Sequence, residues 1–177
     1  MQNEVKFAGF GGQGILMMGT LLAKAAMQEG FEVAWVPSYG PEMRGGTAYC
    51  TVVISDKPIA SPIIKSPLHL VAMNGPSLEK FAPTLKPGGV IVINSSLISA
   101  DAGRDDCDVL KVPVVEIAKD IGNAKAANVV ALAAFVARTG IVPIETLKKS
   151  VEASFAKKPK LIPLNMKAVD AGVDAAR

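Results

Sequence analysis

The sequence predicts an α/β fold: three layers, a mostly parallel sheet with helices on both faces, and a Rossmann-like first βαβ unit. Three observations predict it. The run Val5-Lys6-Phe7-Ala8 leads into glycines 9, 11, 12 and 14 and then into a helical pattern, the order of a strand–turn–helix junction. Short continuous apolar runs at 68–73 and 90–93 suit strands covered on both faces, as parallel strands are. Segments with helical spacing of apolar residues alternate with the strand runs, which is the signature of a layered α/β chain. Neither an internal repeat nor a low-complexity linker divides residues 1–177, which read as one domain.

Taken in order, residues 4–10 read as the first strand. Residues 14–29 read as a helix with Ile15, Leu16, Gly19, Leu22, Ala23 and Ala26 on one side. Gly19 and the alanines keep that side thin enough to lie close on a sheet, and Gly30 stops the helix. Strand character returns at 31–36. Residues 37–46 carry turn signals at both ends, Pro37, Gly40 and Pro41 first and Gly45-Gly46 last. Residues 47–54 are rich in β-formers and make a strand. Residues 59–67 contain Pro62 and Pro67, with Pro58 just before, and read as an extended edge or loop.

A short buried strand follows at 68–73, then a helix over 77–83 capped at Asn74 or Ser77. The Lys86-Pro87-Gly88-Gly89 turn leads to a strand at 90–93. Residues 101–106 are a polar excursion, 108–112 a strand and 114–121 a short helix. Residues 128–139 are helical and apolar almost all round, so that helix is expected to be covered on more than one side. Pro143 opens a helix over 143–155, a position where proline is tolerated, and a short final helix spans 165–175.

Composition excludes several classes. Half the residues are apolar and 20% are charged, which is globular rather than disordered. The net charge of +3 is spread along the chain apart from Lys157, Lys158 and Lys160, and aromatics make up only 5%. That gives neither a basic stripe nor a stacking ladder, so no nucleic-acid partner is expected. No apolar run is long enough to cross a bilayer, and the first residues lack a signal-peptide pattern; a cytoplasmic protein without a membrane partner is expected. Two cysteines, Cys50 and Cys107, cannot hold an iron–sulfur cluster in this chain alone. Cys50 reads as a small core residue. One histidine, His69, makes neither a zinc pattern nor a basis for a Ser-His-Asp triad. It reads as structural. The chain therefore offers no catalytic set and no metal site.

The glycine segment holds the spacing Gly9-x-Gly11-x-x-Gly14 between strand and helix, the context of a dinucleotide fingerprint. The fingerprint also wants an acid at the end of the second strand, and that strand ends Trp35-Val36-Pro37-Ser38; Glu32 lies at the wrong end. A triphosphate P-loop is excluded because Ile15 and Leu16 stand where Lys and Ser/Thr are needed. Two readings of Gly9, Gly11, Gly12, Gln13 and Gly14 stay open: a tight turn for helix–sheet packing, or a loop facing a phosphate or other anion. In the second loop Arg44 presents a rigid fork suited to carboxylate or phosphate. With Tyr39, Glu42 and Met43 it reads as an interface or ligand segment.

Together, Gly9-Phe10-Gly11-Gly12-Gln13-Gly14 and Ser38-Tyr39-Gly40-Pro41-Glu42-Met43-Arg44-Gly45-Gly46 strongly resemble the gamma subunit of 2-oxoacid:ferredoxin oxidoreductases. The resemblance extends to Asn74, the Lys86-Pro87-Gly88-Gly89 turn, the Asn128 helix, and Asn165, Ala168 and Gly172. It implies a multi-subunit enzyme that oxidises a 2-oxoacid to carbon dioxide and an acyl-CoA and passes two electrons to ferredoxin. Thiamine diphosphate with magnesium and iron–sulfur clusters would belong to the complex, coenzyme A would be its substrate, and no cofactor is assigned to this chain itself. The partners implied are alpha and beta subunits, a ferredoxin-like delta subunit, and ferredoxin as acceptor. The resemblance leans towards 2-oxoglutarate as the acid. Residues 9–14 and Arg44 would face the catalytic subunits or the coenzyme A phosphates, with Tyr39, Glu42 and Met43 fixing a docking loop. The alternatives are a small NAD(P)-binding oxidoreductase and a non-enzymatic nucleotide-binding regulator.

Overall fold

A computed structural model describes residues 1–38 and 47–177. Tyr39, Gly40, Pro41, Glu42, Met43, Arg44, Gly45 and Gly46 lie outside the described residues.

Six strands form one sheet: β1 (Gln2–Phe10), β2 (Glu32–Ser38), β3 (Thr47–Ser55), β4 (His69–Ala72), β5 (Val90–Asn94) and β6 (Asp108–Val112), in the order β2-β3-β1-β4-β5-β6. The ladders β1/β4, β4/β5 and β5/β6 are parallel. β3 alone runs against the others, pairing antiparallel with β1 on one side and β2 on the other. The first βαβ unit is thus right in strand direction, but β3 is slotted between its two strands.

Alternation along β1 sorts the two faces. Val5 and Phe7 meet α1 (Ile15–Gln28), α3 (Val114–Ile121), α4 (Ala127–Thr139), α5 (Ile144–Ser154) and α6 (Ile162–Ala175) in the larger core. Ala8 joins Leu70, Ala72, Ile91 and Ile93 on the opposite face, under α2 (Gly75–Phe81) and the single 3₁₀ turn that continues it. The short helices and strands fall where the sequence places them. The final helix is the exception, starting at Ile162 rather than 165 and running for 14 residues. Pro163 sits in its first turn, where a missing N–H costs no hydrogen bond, so the proline extends the helix rather than delaying it.

Two glycines set how closely the layers approach. A Cβ on Gly19 would stand 2.6 Å from Cys50 Sγ and 2.7 Å from Trp35 Nε1, so α1 crosses β2 and β3 only because that position is bare. A Cβ on Gly172 would overlap the Val130 carbonyl and come within 2.8 Å of Ala133 Cβ. α6 therefore presses directly on α4, and Asn128 to Val136 are buried in succession, which is why α4 is apolar all round. Asn74 caps α2, its Oδ1 accepting from Ser77 N–H at 2.9 Å.

His69 is buried between strands. Its Nδ1 accepts from Val90 N–H at 3.0 Å, and burial lowers its pKa to about 4 despite nearby Glu4. The imidazole is neutral and structural. Glu4, itself buried, is met by Lys86 Nζ at 3.0 Å from each carboxylate oxygen. Cys50 packs in the core with its thiol pushed up to about 12 by burial, so it is an inert hydrophobe. No helix among the described residues is long and apolar enough to cross a membrane.

Candidate functional site

The site forms where the carboxyl ends of the parallel strands meet the start of α1. β1 ends at Phe10, and Gly12 and Gly14 adopt left-handed backbone, φ 90° and 73°, which residues with a Cβ rarely adopt. Gln13 pins the turn between them. Its Oε1 accepts from Phe10 N–H at 2.7 Å, and its Nε2 donates to the Met73 carbonyl at 3.2 Å. That same carbonyl also accepts from Asn94 Nδ2 at 3.1 Å, so the loop is tied to the ends of β4 and β5. Asn128, at the start of α4, donates from Nδ2 to the Gly14 carbonyl at 3.3 Å.

The five sequence-predicted residues of this loop divide into two kinds. Gly9 and Gly14 are packing positions. A Cβ on Gly9 would meet Gln13 Oε1 at 2.5 Å, Ile15 Cδ1 at 2.7 Å and Met73 Cβ at 2.8 Å; one on Gly14 would overlap the Asn128 amide. Gly12 is open, with nothing near a Cβ, and with Gly11 and Gly14 it lines the clefts beside the loop. Gln13 is a structural clamp that also lines the larger cleft. The tight-turn reading holds at Gly9 and Gly14, while Gly11 and Gly12 are left at the surface of the clefts.

The loop stands as a ridge between two clefts. One, of about 510 Å³, is lined by residues 12–14 together with Met17, Met73, Asn94, Lys125 and Asn128. The other, of about 320 Å³, runs from Phe10 to Met17 and Ala48. Both share the first turn of α1. That turn has no acidic residue and no side-chain cap, so its leading amides have no i−4 carbonyl to bond and carry the positive end of the helix dipole. Lys125 adds a positive charge to the larger cleft. This end of the molecule is suited to an anion bearing an apolar or amide-binding group. The sequence analysis gave Asn94 and Lys125 no role and named Asn128 only for its helix, because they come from β5, the 3₁₀ turn before α4 and the start of α4, far from the glycine loop in sequence.

Ser38 and Thr47 flank residues 39–46. Thr47 of β3 pairs with Phe10 beside the glycine turn, and Ser38 pairs with Tyr49 one strand farther out. Tyr39, Glu42, Met43 and Arg44, read from the sequence as an interface or ligand segment, lie outside the described residues. A dinucleotide reading is disfavoured by the topology: β3 separates β1 from β2, so the end of β2 does not lie next to the glycine turn as the ribose-binding strand must. Among the described residues no three His, Cys, Asp or Glu side chains are grouped to hold a metal ion.

Comparison with known proteins gives a consistent result. The family model for pyruvate ferredoxin/flavodoxin oxidoreductase matches residues 4–175. Ketoisovalerate oxidoreductase subunit VorA of Methanothermobacter thermautotrophicus is 44% identical over 98% of this chain, which spans only 36% of that protein's length. The 2-oxoglutarate synthase subunit KorC of Methanocaldococcus jannaschii is 37% identical, covering 89% of this chain and 86% of its own length. Among solved structures, the gamma subunit of a keto/oxoacid ferredoxin oxidoreductase from Geobacter sulfurreducens superposes with a TM-score of 0.90 at 32% identity, covering 99% and 97% of the two chains. A 2-oxoglutarate:ferredoxin oxidoreductase from Magnetococcus marinus, with 2-oxoglutarate, coenzyme A and succinyl-CoA bound, gives 0.89 at 26% identity over 99% of this chain and 31% of that one.

Proposed function

This chain belongs to the pyruvate ferredoxin/flavodoxin oxidoreductase family, and from that premise we propose that it is the gamma part of a 2-oxoacid:ferredoxin oxidoreductase. The reaction is CoA-dependent oxidative decarboxylation: a 2-oxoacid and coenzyme A yield carbon dioxide and an acyl-CoA, and two electrons pass to ferredoxin. Thiamine diphosphate with magnesium supplies the decarboxylation chemistry when bound. Among the described residues no three His, Cys, Asp or Glu side chains are grouped, and two cysteines are too few for an iron–sulfur cluster in this chain alone. We place thiamine diphosphate and the iron–sulfur clusters in alpha, beta and ferredoxin-like delta partners, and place the assembly in the cytoplasm.

The observation that carries this chain's own role is the glycine ridge with its uncapped helix start, beside Thr47 at the start of β3. Its chemistry fits the phosphates of coenzyme A: unbonded amides, a favourable dipole and Lys125 attract the charge. The apolar and amide lining of the adjoining cleft can hold the rest of such a ligand against a partner subunit. Gly11, Gly12 and the first turn of α1 would lie against the anion. Gly9 and Gly14 keep the turn close to Met73 and Asn128, and Gln13 holds it there. Arg44 would reach a phosphate or a partner carboxylate, and Tyr39, Glu42 and Met43 would dock the chain.

The acid is a 2-oxoacid, with 2-oxoglutarate and the branched 2-oxoisovalerate as the pair to compare, since relatives named for each cover most of this chain. The test is an affinity-tagged chain purified with its native partners, alongside Arg44→Ala and Lys125→Ala. Thiamine-bearing subunits are expected to co-purify with the parent chain, and each variant is expected to weaken assembly or raise the KM for coenzyme A several-fold. Unchanged assembly and unchanged KM in both variants would overturn the assignment of this surface.

A further inference from the structure

A third cleft lies on the other face of the sheet, away from the glycine ridge, and its chemistry is independent of the role proposed above. Its floor is a cross-strand row. Lys6 of β1 stands opposite Thr51 of β3, which stands opposite Val36 of β2; the next row on the same face is Ala8, Tyr49 and Ser38. Pro62, Ile63 and Ile64 form the opposing wall, enclosing about 230 Å³.

Lys6 is the unusual member. It is only 6% exposed, in the middle of a strand. A lysine so buried ordinarily has a carboxylate partner. Among the described residues Lys6 has no ion pair and no hydrogen bond. Its ammonium instead lies 4.3 Å from the centre of the Phe81 ring and 4.9 Å from that of Tyr49. Lys80 brings a second ammonium to the same two rings, at 5.4 and 5.9 Å, and it too has no ion pair among the described residues. Ring faces compensate a cation only partly. Two like charges therefore converge on one aromatic pair; burial, and then the charge of Lys80, lower the Lys6 pKa.

We propose that this cleft is a binding site for a small monocarboxylate, its carboxylate paired with Lys6 and Lys80 and its short apolar stem against Val36, Ile63 and Ile64. The walls decide between anions. A phosphate needs donors around all its oxygens, whereas Val36, Pro37, Pro62, Ile63 and Ile64 offer a wholly apolar side, the Ser38, Tyr49 and Thr51 hydroxyls lying along the sheet floor alone. A carboxylate on a hydrocarbon stem matches a cleft that is cationic at one end and apolar along its length. Ile63, 75% exposed, would gain apolar cover from the stem.

The probe is butanoate, titrated into the chain at constant ionic strength with inorganic phosphate as the control. The readout is the NMR signal of the Lys6 side chain (¹³Cε and ¹⁵Nζ), with thermal unfolding in parallel. Saturable shifts of the Lys6 resonances and a rising Tm are expected with butanoate, and no saturable shift with phosphate. Lys6→Met, which replaces the charge with an apolar chain of similar length, should abolish the rise in Tm while remaining folded. Lys80→Ala, which removes the exposed second ammonium near the Phe81 and Tyr49 rings, should weaken binding several-fold and serves as the second variant. Absence of saturation with butanoate, an equal rise in Tm for Lys6→Met, or equal competition by phosphate would each overturn the proposal.

Discussion

Replacing Gly14 by alanine tests the architecture of the glycine ridge most directly. Three costs add. The left-handed backbone at φ 73° penalises any Cβ by about 1–2 kcal/mol. The new methyl overlaps the Asn128 side chain, and forcing groups apart in a packed site costs about 1–3 kcal/mol. Moving Asn128 also breaks its bond to the Gly14 carbonyl, worth about 1 kcal/mol. The expected loss is roughly 3–6 kcal/mol. Gly12→Ala is the control, with φ 90° and nothing near its Cβ, so only the backbone cost of about 1–2 kcal/mol applies. Urea unfolding followed by far-UV circular dichroism reads both. At a slope of about 2 kcal/mol/M the midpoint should fall by roughly 2 M for Gly14→Ala and by less than about 1 M for Gly12→Ala. Adding Asn128→Ala removes the clashing amide, so the double variant should be clearly more stable than the sum of the singles predicts. A Gly14→Ala variant no weaker than Gly12→Ala, or strict additivity with Asn128→Ala, would refute the contact argument.

Three further outcomes follow from named residues. His69 has its pKa lowered to about 4 by burial, against about 6.5 in the unfolded chain; the unfolded state binds the extra proton first, so stability present above pH 6.5 drains away as pH falls towards 4, by on the order of 3 kcal/mol. Urea midpoints between pH 7 and 4 should show that slope, and His69→Gln should flatten it. Iodoacetamide should alkylate the half-buried Cys107 in the native chain and spare Cys50, whose thiol is buried and pushed up to about 12; peptide mass spectrometry before and after unfolding checks this. Asn74→Ala removes the cap on Ser77 N–H and should cost about 1 kcal/mol, whereas Asn74→Asp should keep the cap, both measured by thermal unfolding.

Much of this chain is written locally. Period-two and period-3.6 patterns, the capping residue at 74 and the glycines at 30 and 140 marked the elements, because each depends on neighbours a few residues away. The βα junction was legible for the same reason, since left-handed turns need glycine wherever they occur. The paired motifs around 9–14 and 38–46 went further and pointed to the family to which the chain belongs. Tertiary structure decided the rest. No local pattern says that β3 slips antiparallel between β1 and β2, because strand order is set by which edges pair across long separations and by how helices cover the faces. That choice puts Thr47 beside Phe10 at the glycine turn and moves the end of β2 one strand away, which removes the geometry a dinucleotide needs. Asn94, Lys125 and Asn128 reach the ridge, and Lys6 and Lys80 reach one pair of rings, only once the sheet is assembled. The motif named the ridge; the packing around it decides that Gly9 and Gly14 serve the protein, while Gly11 and Gly12 are exposed.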